Sequence, residues 1–440
     1  LTVPGWAKDA LWRNARAVPS LDLRFADNKS LVDAVTGASL VTFTRASSGT
    51  YVDSAGVLQT AAIDVPRFDH NPTTGESLGL LVEEQRTNLL LRSEEFDNAS
   101  WGKSALTVTA NSTTSPSQAT TADKLIENGT TNEHYVRQTP VAYPTGATFS
   151  ISIYVKSAER TSLRVRALDT VNSANGFFGS IDTATGTTGG AATGTGTFTS
   201  ATAVNAGNGW WRLTIIGIAS STSTSCILDV FLLPGNANSA SNYAGNGTSG
   251  IHVWGAQLEV GAFPSSYIPT TTAAATRSAD VASITGSNFS SWYNQTEGTL
   301  FAEWFGGPVA TNKFPSVAAA RQVSSNNSQN TIEIFQGPSL TNVRANGLVR
   351  VSSVDQMSRD SGDLTLVGTK VKAALGVRTN DFVFMANGLQ IGAVDTLGTL
   401  PTVDTFNIGF NSASEQLNGT IKRITYWPQA LPSRLQTLTQ

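Results

Sequence analysis

Cysteine is nearly missing: Cys226 is the one cysteine among 440 residues, which excludes an intrachain disulfide. Histidine is scarce too, and with only His70, His134 and His252 no Cys/His zinc site can be drawn. Charged residues make up 14% of the chain, against roughly 25% in ordinary soluble domains, and Thr, Ser, Asn and Gly take their place. No Lys/Arg run occurs, and a formal net charge of −3 supplies no basic field for a phosphate backbone, so nucleic acid is not expected as a partner. No stretch approaches the about 20 apolar residues that a membrane helix needs. The longest candidates, such as Leu213 to Ala219, have strand length, so membrane insertion is not expected. The opening Leu-Thr-Val-Pro-Gly-Trp lacks the charged region and apolar core of a secretory signal. Because Cys226 stands in the apolar run Cys226-Ile227-Leu228, it reads as a buried structural thiol and not as a nucleophile.

What is present points to strands. Seven Asn-Gly pairs, at Asn128, Asn175, Asn208, Asn246, Asn346, Asn387 and Asn418, punctuate the chain, and this dipeptide favours hairpin turns because both residues accept positive φ. Between them Phe149, Ile151, Ile153 and Val155 alternate with Ser150, Ser152, Tyr154 and Lys156, the period-2 pattern of a half-buried strand. Similar alternation recurs at Thr331 to Phe335 and at Leu348 to Val351. Helical patterns are short, at Trp6 to Arg16 and at Pro432 to Leu438. Thr183 to Thr202, nearly all Thr, Gly and Ala, is too poor in bulky groups to anchor a core and is predicted to form an exposed loop or hairpin tip. The Thr/Ala run from Thr270 to Ser278 reads as a linker, and a weaker break falls at Thr87-Asn88. The expected fold is therefore all-β, with tandem antiparallel β-sandwiches behind an N-terminal segment. The expected parts are an N-terminal segment with a small β region over 1–88, a jelly roll over 89–275 and a second sandwich over 276–440.

Three passages, taken jointly, resemble bacteriophage tail-fibre and head-fibre proteins. They are Phe43-Thr-Arg45-Ala-Ser-Ser-Gly-Thr-Tyr51-Val-Asp53, the run from Pro66-Arg67-Phe68-Asp69-His70 to Glu83-Glu84-Gln85-Arg86-Thr87-Asn88-Leu89-Leu90, and Ser93-Glu94-Glu95-Phe96-Asp97-Asn98-Ala99-Ser100-Trp101. The region after them is similar to carbohydrate-binding-module jelly rolls, with Phe149 to Lys156, Gly209-Trp210-Trp211-Arg212-Leu213 and Trp254-Gly255-Ala256-Gln257-Leu258-Glu259 as landmarks. The last part resembles a concanavalin A or laminin G lectin sandwich, on Gly298 to Trp304, Phe382 to Gly388 and Asn418 to Trp427. The resemblance implies a virion component, tail-associated or displayed as a surface fibre. It implies a homo-oligomer, commonly a trimer, whose partners are other virion proteins and host surface carbohydrate. It names no cofactor, but it leaves room for a structural calcium near Glu94, Glu95 and Glu259.

Chemistry is harder to find. A glycoside hydrolase needs two carboxyl groups about 5 to 9.5 Å apart across the scissile bond. No Glu-x-Asp-x-Glu strand occurs, and in the adjacent pairs Glu83-Glu84 and Glu94-Glu95 the side chains of an extended chain diverge. Asp69-His70 has no Gly-x-Ser-x-Gly elbow to complete a triad, and neither phosphate-loop pattern is present. No catalytic residue is assigned, and an enzyme is not expected.

Binding needs exposed aromatic rings for the C–H faces of sugars and polar groups for their hydroxyls. Trp211 with Arg212, Tyr243 in the Asn/Ser/Gly-rich segment 236–249, and Trp292 with Tyr293 in the polar segment 290–295 are the glycan-contact candidates. Trp254, Trp304 and Trp427 read as core. Trp6, Leu11 and Trp12, at helical spacing, either dock on the chain's own first domain or anchor it to another virion protein; the second suits a tethered fibre. The expectation is a receptor-binding virion protein without catalysis. Two alternatives stand beside it: a head or tail decoration protein, and a capsular-polysaccharide depolymerase.

Overall fold

Phe149, Ile151, Ile153 and Val155 point into one apolar core, as their alternation requires, yet Ser150, Ser152 and Tyr154 between them are buried as well. Their strand lies at the centre of a sheet whose second face is also covered: Ser150 Oγ donates to Phe263 O at 2.9 Å, and Tyr154 packs against Trp254 and Tyr267. The computed structural model describes residues 5–323, 329–411 and 415–440. Among these, nearly every regular element is an antiparallel strand, and no helix is long and apolar enough to cross a membrane.

The first sandwich is built from two six-stranded sheets. One runs in the order Thr197–Asn205, Trp210–Ile218, Phe149–Lys156, Gly250–Val260, Ala122–Glu127 and Leu106–Thr113. The other runs Thr187–Thr193, Gly176–Asp182, Ser162–Asp169, Ser225–Leu233, Tyr135–Ala142 and Gly102–Ser104. Their inner faces close over a core that includes Leu90, Trp101, Val165, Leu213, Cys226 and Leu258. The Thr/Gly/Ala stretch forms the strands Thr187–Thr193 and Thr197–Asn205, with a turn through Gly194 and Gly196 that carries the chain from the edge of one sheet to the edge of the other. It is exposed, as expected, but it is strand and not loop; small residues suffice at an edge.

The second sandwich corrects the expected partition. Its seven-stranded sheet begins with Thr42–Thr44 and continues through Val281–Thr285, Thr405–Ile408, Ser316–Arg321, Thr331–Gln336, Ala345–Val351 and Val354–Asp360. In the opposing sheet Gly419–Trp427 pairs with Glu297–Phe305 on one side, and on the other with Leu21–Leu23 and Ser77–Val82. Leu21, Leu23, Phe25, Leu80 and Val82 share one core with Ile284, Trp304, Ile334, Phe384 and Ile424. Strands between Leu21 and Val82 thus belong to the C-terminal sandwich, while Gly49–Val52 and Leu58–Ala61 pair as a separate hairpin. The first sandwich is inserted between Val82 and Val281 of the second.

The insertion has a double neck. The predicted linker pairs as Ala275–Arg277 with Arg86–Asn88, in the register Asn88 to Ala275 and Arg86 to Arg277. Beside the neck sits a buried ionic cluster. Arg45 and Arg67 both pair with Asp280, at 3.2 and 2.5 Å, and Arg67 also reaches Glu83 at 2.7 Å. Arg277 lies 3.5 Å from Glu83, and Glu83 also accepts from Ser266 N and Oγ, both at 2.7 Å. Ser266 belongs to the loop leaving the first sandwich, so the cluster ties together segments far apart in sequence. Breaking a pair in such a place leaves a charge buried alone.

Candidate functional site

On the seven-stranded sheet, Ile332 and Ile334 enter the core, so Glu333 and Phe335 point to the opposite face. Next to them, Ala345 and Val349 are core residues, and Leu348 and Arg350 share the outer face with Glu333 and Phe335. Registers of Glu333 to Leu348 and Leu348 to Ser358 place these side chains in adjacent rows. With Phe314 and Asn411 from the flanking loops they line a groove of about 320 Å³.

The groove combines a fixed polar floor with an aromatic wall. Arg321, 1% exposed, pairs with Glu333 and donates to Asn411 Oδ1 and to Ser316 Oγ (2.8 Å). Ser316 Oγ donates in turn to Glu333 Oε2 at 2.6 Å. Arg350 lies at the rim, 2.5 Å from Asp355. Phe314, 44% exposed, meets Phe335 edge to face with ring centroids 6.1 Å apart. Among the described residues that line the groove Glu333 is the one carboxylate, and it is committed to Arg321 and Ser316. The arrangement therefore offers orientation and stacking area. The alternation at Thr331 to Phe335 was the signal for one wall of this groove; Phe314, a Phe before Pro315 in an irregular loop, carried no periodicity to reveal it.

The residues singled out from sequence lie elsewhere. Of the Trp pair, Trp211 turns toward the sandwich core, half-buried, so that a Cβ on Gly186 would fall 2.5 Å from its ring. Trp210 takes the outer face but is 1% exposed, covered by the N-terminal segment, and its Nε1 donates to Thr114 O at 3.1 Å. Neither is an open platform. Arg212 shares the face of Trp210, donates to Ser152 Oγ and Ser265 O at 2.9 and 2.7 Å, and lines a different cleft. Tyr243 is half-buried, its hydroxyl donating to Glu127 at 2.6 Å and its ring between His134 and Arg160.

Trp292 and Tyr293, expected on the surface, are drawn together in the core. Trp292 is 5% exposed against Phe289, Phe406 and Tyr426, and Tyr293 stacks between Phe289 and Tyr426 at 4.7 and 5.0 Å. Their polar neighbours Ser290 and Ser291 form the exposed end of the short helix Gly286–Ser290, and this misdirects a reading from local composition.

The N-terminal anchor is also corrected. Trp12 is buried with Phe301, Val383, Trp427, Leu435 and Leu438, and its Nε1 donates to Asp22 at 3.0 Å. Leu11 packs against the same cluster, so the helix Ala10–Ala15 is spent on the chain's own C-terminal sandwich. The side chain of Trp6 lies outside the described residues.

The three glutamates named for calcium do not fit one. Glu259, fully buried, accepts from Ser265 Oγ and N and from Gln257 Nε2, at 2.6, 2.9 and 2.7 Å. Glu94 accepts from Tyr267 at 3.0 Å, and Glu95 pairs with Arg92 at 2.9 Å. Among the described residues no group of three His, Cys, Asp or Glu side chains converges on a metal position.

No protein-family model matches the chain, and no curated protein matches it. Parts of it are similar to solved β-sandwich structures. The CBM40 of a Ruminococcus gnavus IT-sialidase, bound to α2,6-sialyllactose, matches with 14% identity over 33% of this chain and 85% of that one, TM-score 0.28. Domain 4 of AbnA, a GH43 extracellular arabinanase from Geobacillus stearothermophilus, in complex with arabinotriose, matches with 14% identity over 40% and 82%, TM-score 0.25. Domains LG4-5 of the mouse laminin α1 chain match with 8% identity over 79% and 88%, TM-score 0.20. These likenesses are too distant to carry function, which rests on the chain's own residues.

Proposed function

We propose that the protein binds carbohydrate through the groove of Phe314, Phe335, Arg321, Glu333 and Arg350, without catalysis, as a phage fibre or receptor-binding component facing host glycans. The carrying observation is the juxtaposition of an exposed aromatic edge with a pre-paired guanidinium and carboxylate. A sugar ring can lay its C–H face on Phe314 while its hydroxyls exchange hydrogen bonds with groups already held in place. The virion assignment is supported by the three sequence passages resembling fibre proteins, and a homo-oligomer on a phage tail follows from the same resemblance.

The test is a glycan array that includes host-envelope polysaccharide, with release of reducing ends followed in the same wells. The expected result is binding without release, weakened at least about 10-fold by Phe314→Ala, as for loss of a buried aromatic contact. Release of reducing ends would replace this reading by a depolymerase. Absence of binding would favour a decoration protein, a reading that the smooth, exposed Thr/Ala edge at Thr187–Thr193 also suits.

A further inference from the structure

A second cleft, of about 310 Å³, lies where the N-terminal segment covers the outer face of the first sandwich. One wall is sheet: Arg212 and Thr214 from the strand Trp210–Ile218, and Tyr154 from its neighbour, with the Arg212 guanidinium 5.6 Å from the centre of the Tyr154 ring. The other wall is Leu58, Asp69, His70 and Leu78. This wall is fixed. Leu58 N donates to Pro116 O at 3.0 Å, and Thr50 Oγ1 donates to Tyr267 O at 2.5 Å. The turn through Pro72 comes so close to the sheet that a Cβ on Gly207, at φ +79°, would fall 2.9 Å from Pro72 O.

Two residues that line this cleft each carry a buried polar atom without a hydrogen-bond partner. His70 is 4% exposed, and its Nδ1 lies 3.0 Å from Val52 O. A carbonyl can only accept, so Nδ1 carries the proton; Nε2, an acceptor in that tautomer of the neutral ring, is buried with no hydrogen-bond partner. Arg212 uses Nη2 on Ser152 and Ser265, while its Nε, an obligate donor, is buried and unmet. Asp69 adds a carboxylate: one oxygen accepts from Val52 N at 2.6 Å, and burial pushes the carboxyl up to about 6. Unmet groups of opposite hydrogen-bonding sense are costly unless something fills both needs.

The occupant must therefore donate to one side, accept from the other, and present apolar surface to Leu58, Leu78 and Pro116. A charged ligand is disfavoured, because the cleft already holds one guanidinium and one carboxylate, and a further ion would be desolvated without a counter-charge. The volume is at the small end of ligand sites, fit for one ring and not for a chain. We infer that this cleft is a second saccharide site, taking the terminal ring of an uncharged sugar, with a hydroxyl donating to His70 Nε2 and an oxygen accepting from Arg212 Nε. It is independent of the Phe314 groove, and either site can fail without the other.

The test uses the full chain and methyl glycosides of glucose, galactose, mannose and N-acetylglucosamine, read by NMR of the imidazole signals. The expected result is a saturable shift of the His70 ring with at least one glycoside, while His134 and His252 stay in place. Val204→Trp, which adds bulk at the exposed mouth of the cleft, and Leu78→Trp, which fills it, each weaken that shift at least about 10-fold, whereas Phe314→Ala leaves it unchanged. Val204 is 62% exposed, so its replacement spares the core should Leu78→Trp fail to fold. No His70 shift with any of the four glycosides, or a shift that survives Val204→Trp, would overturn the inference and leave the cleft to water.

Discussion

Cys226 is fully buried in the first sandwich, and burial pushes its thiol up to about 12. The thiolate is the reactive species, so a thiol reagent at neutral pH is expected to leave the native protein unlabelled and to label Cys226 along the denaturant unfolding curve. Labelling of the native state at the rate of the unfolded chain would contradict this placement. Glu83 behaves oppositely. Burial acts to raise its carboxyl, but Arg277 and Arg67, with the hydrogen bonds of Ser266, hold it down to about 2. Its folded value lies below the unfolded 4.5, so the unfolded chain binds more protons between these values. The stabilisation is complete above pH 4.5 and is lost as pH falls toward 2, on the order of 3 kcal/mol. Chemical denaturation at stepped pH is expected to show this loss, and Glu83→Gln is expected to remove most of the slope. At this scale the sequence was legible where burial follows from apolar neighbours, as for Cys226. It was silent on Glu83, whose arginine partners Arg67 and Arg277 come from two separate segments, the second nearly two hundred residues away.

Strands and turns were legible as elements. Asn208-Gly209 and Asn387-Gly388 take left-handed backbone at both residues, as their dipeptides predict, with Asn φ of 51° and 46°. Asn346-Gly347 does not turn: it lies inside the strand Ala345–Val351, where a Cβ on Gly347 would fall 2.6 Å from the Phe384 ring. The glycine there serves close packing across the sandwich, which no local pattern reveals. The two short helices also form near their predicted places, as Ala10–Ala15 and Leu435–Thr439, and they pack together on one face of the sheet that contains Trp427. Trp12→Ala is therefore expected to destabilise the C-terminal sandwich by about 3–5 kcal/mol, as for other buried aromatic truncations, seen as a lowered denaturant midpoint. An unchanged midpoint would show that the helix is not held by this contact.

In the whole molecule the chain visits the second sandwich, leaves to build the first, and returns. All buried members of the first core fall between Leu90 and Leu258. A fragment spanning 86–277 is therefore expected to unfold cooperatively by circular dichroism. A fragment spanning 276–440 lacks Leu21–Leu23, Thr42–Thr44 and Ser77–Val82, and is expected to show no cooperative transition until residues 5–85 are supplied. Cooperative folding of the later fragment alone would mean that the N-terminal strands are dispensable. By itself the sequence determined the all-β class, the strand alternation, the turns at Asn208-Gly209 and Asn387-Gly388 and the burial of Trp254, Trp304 and Trp427, because these depend on neighbours a few residues apart. Only the tertiary structure decided that Leu21–Leu23, Thr42–Thr44 and Ser77–Val82 complete the C-terminal sheets, that Trp292 and Tyr293 are core, and that Phe314 meets Phe335 and Arg212 shares a cleft with His70. Which strand pairs with which, and what covers an outer face, depends on contacts hundreds of residues apart that leave no period in the chain.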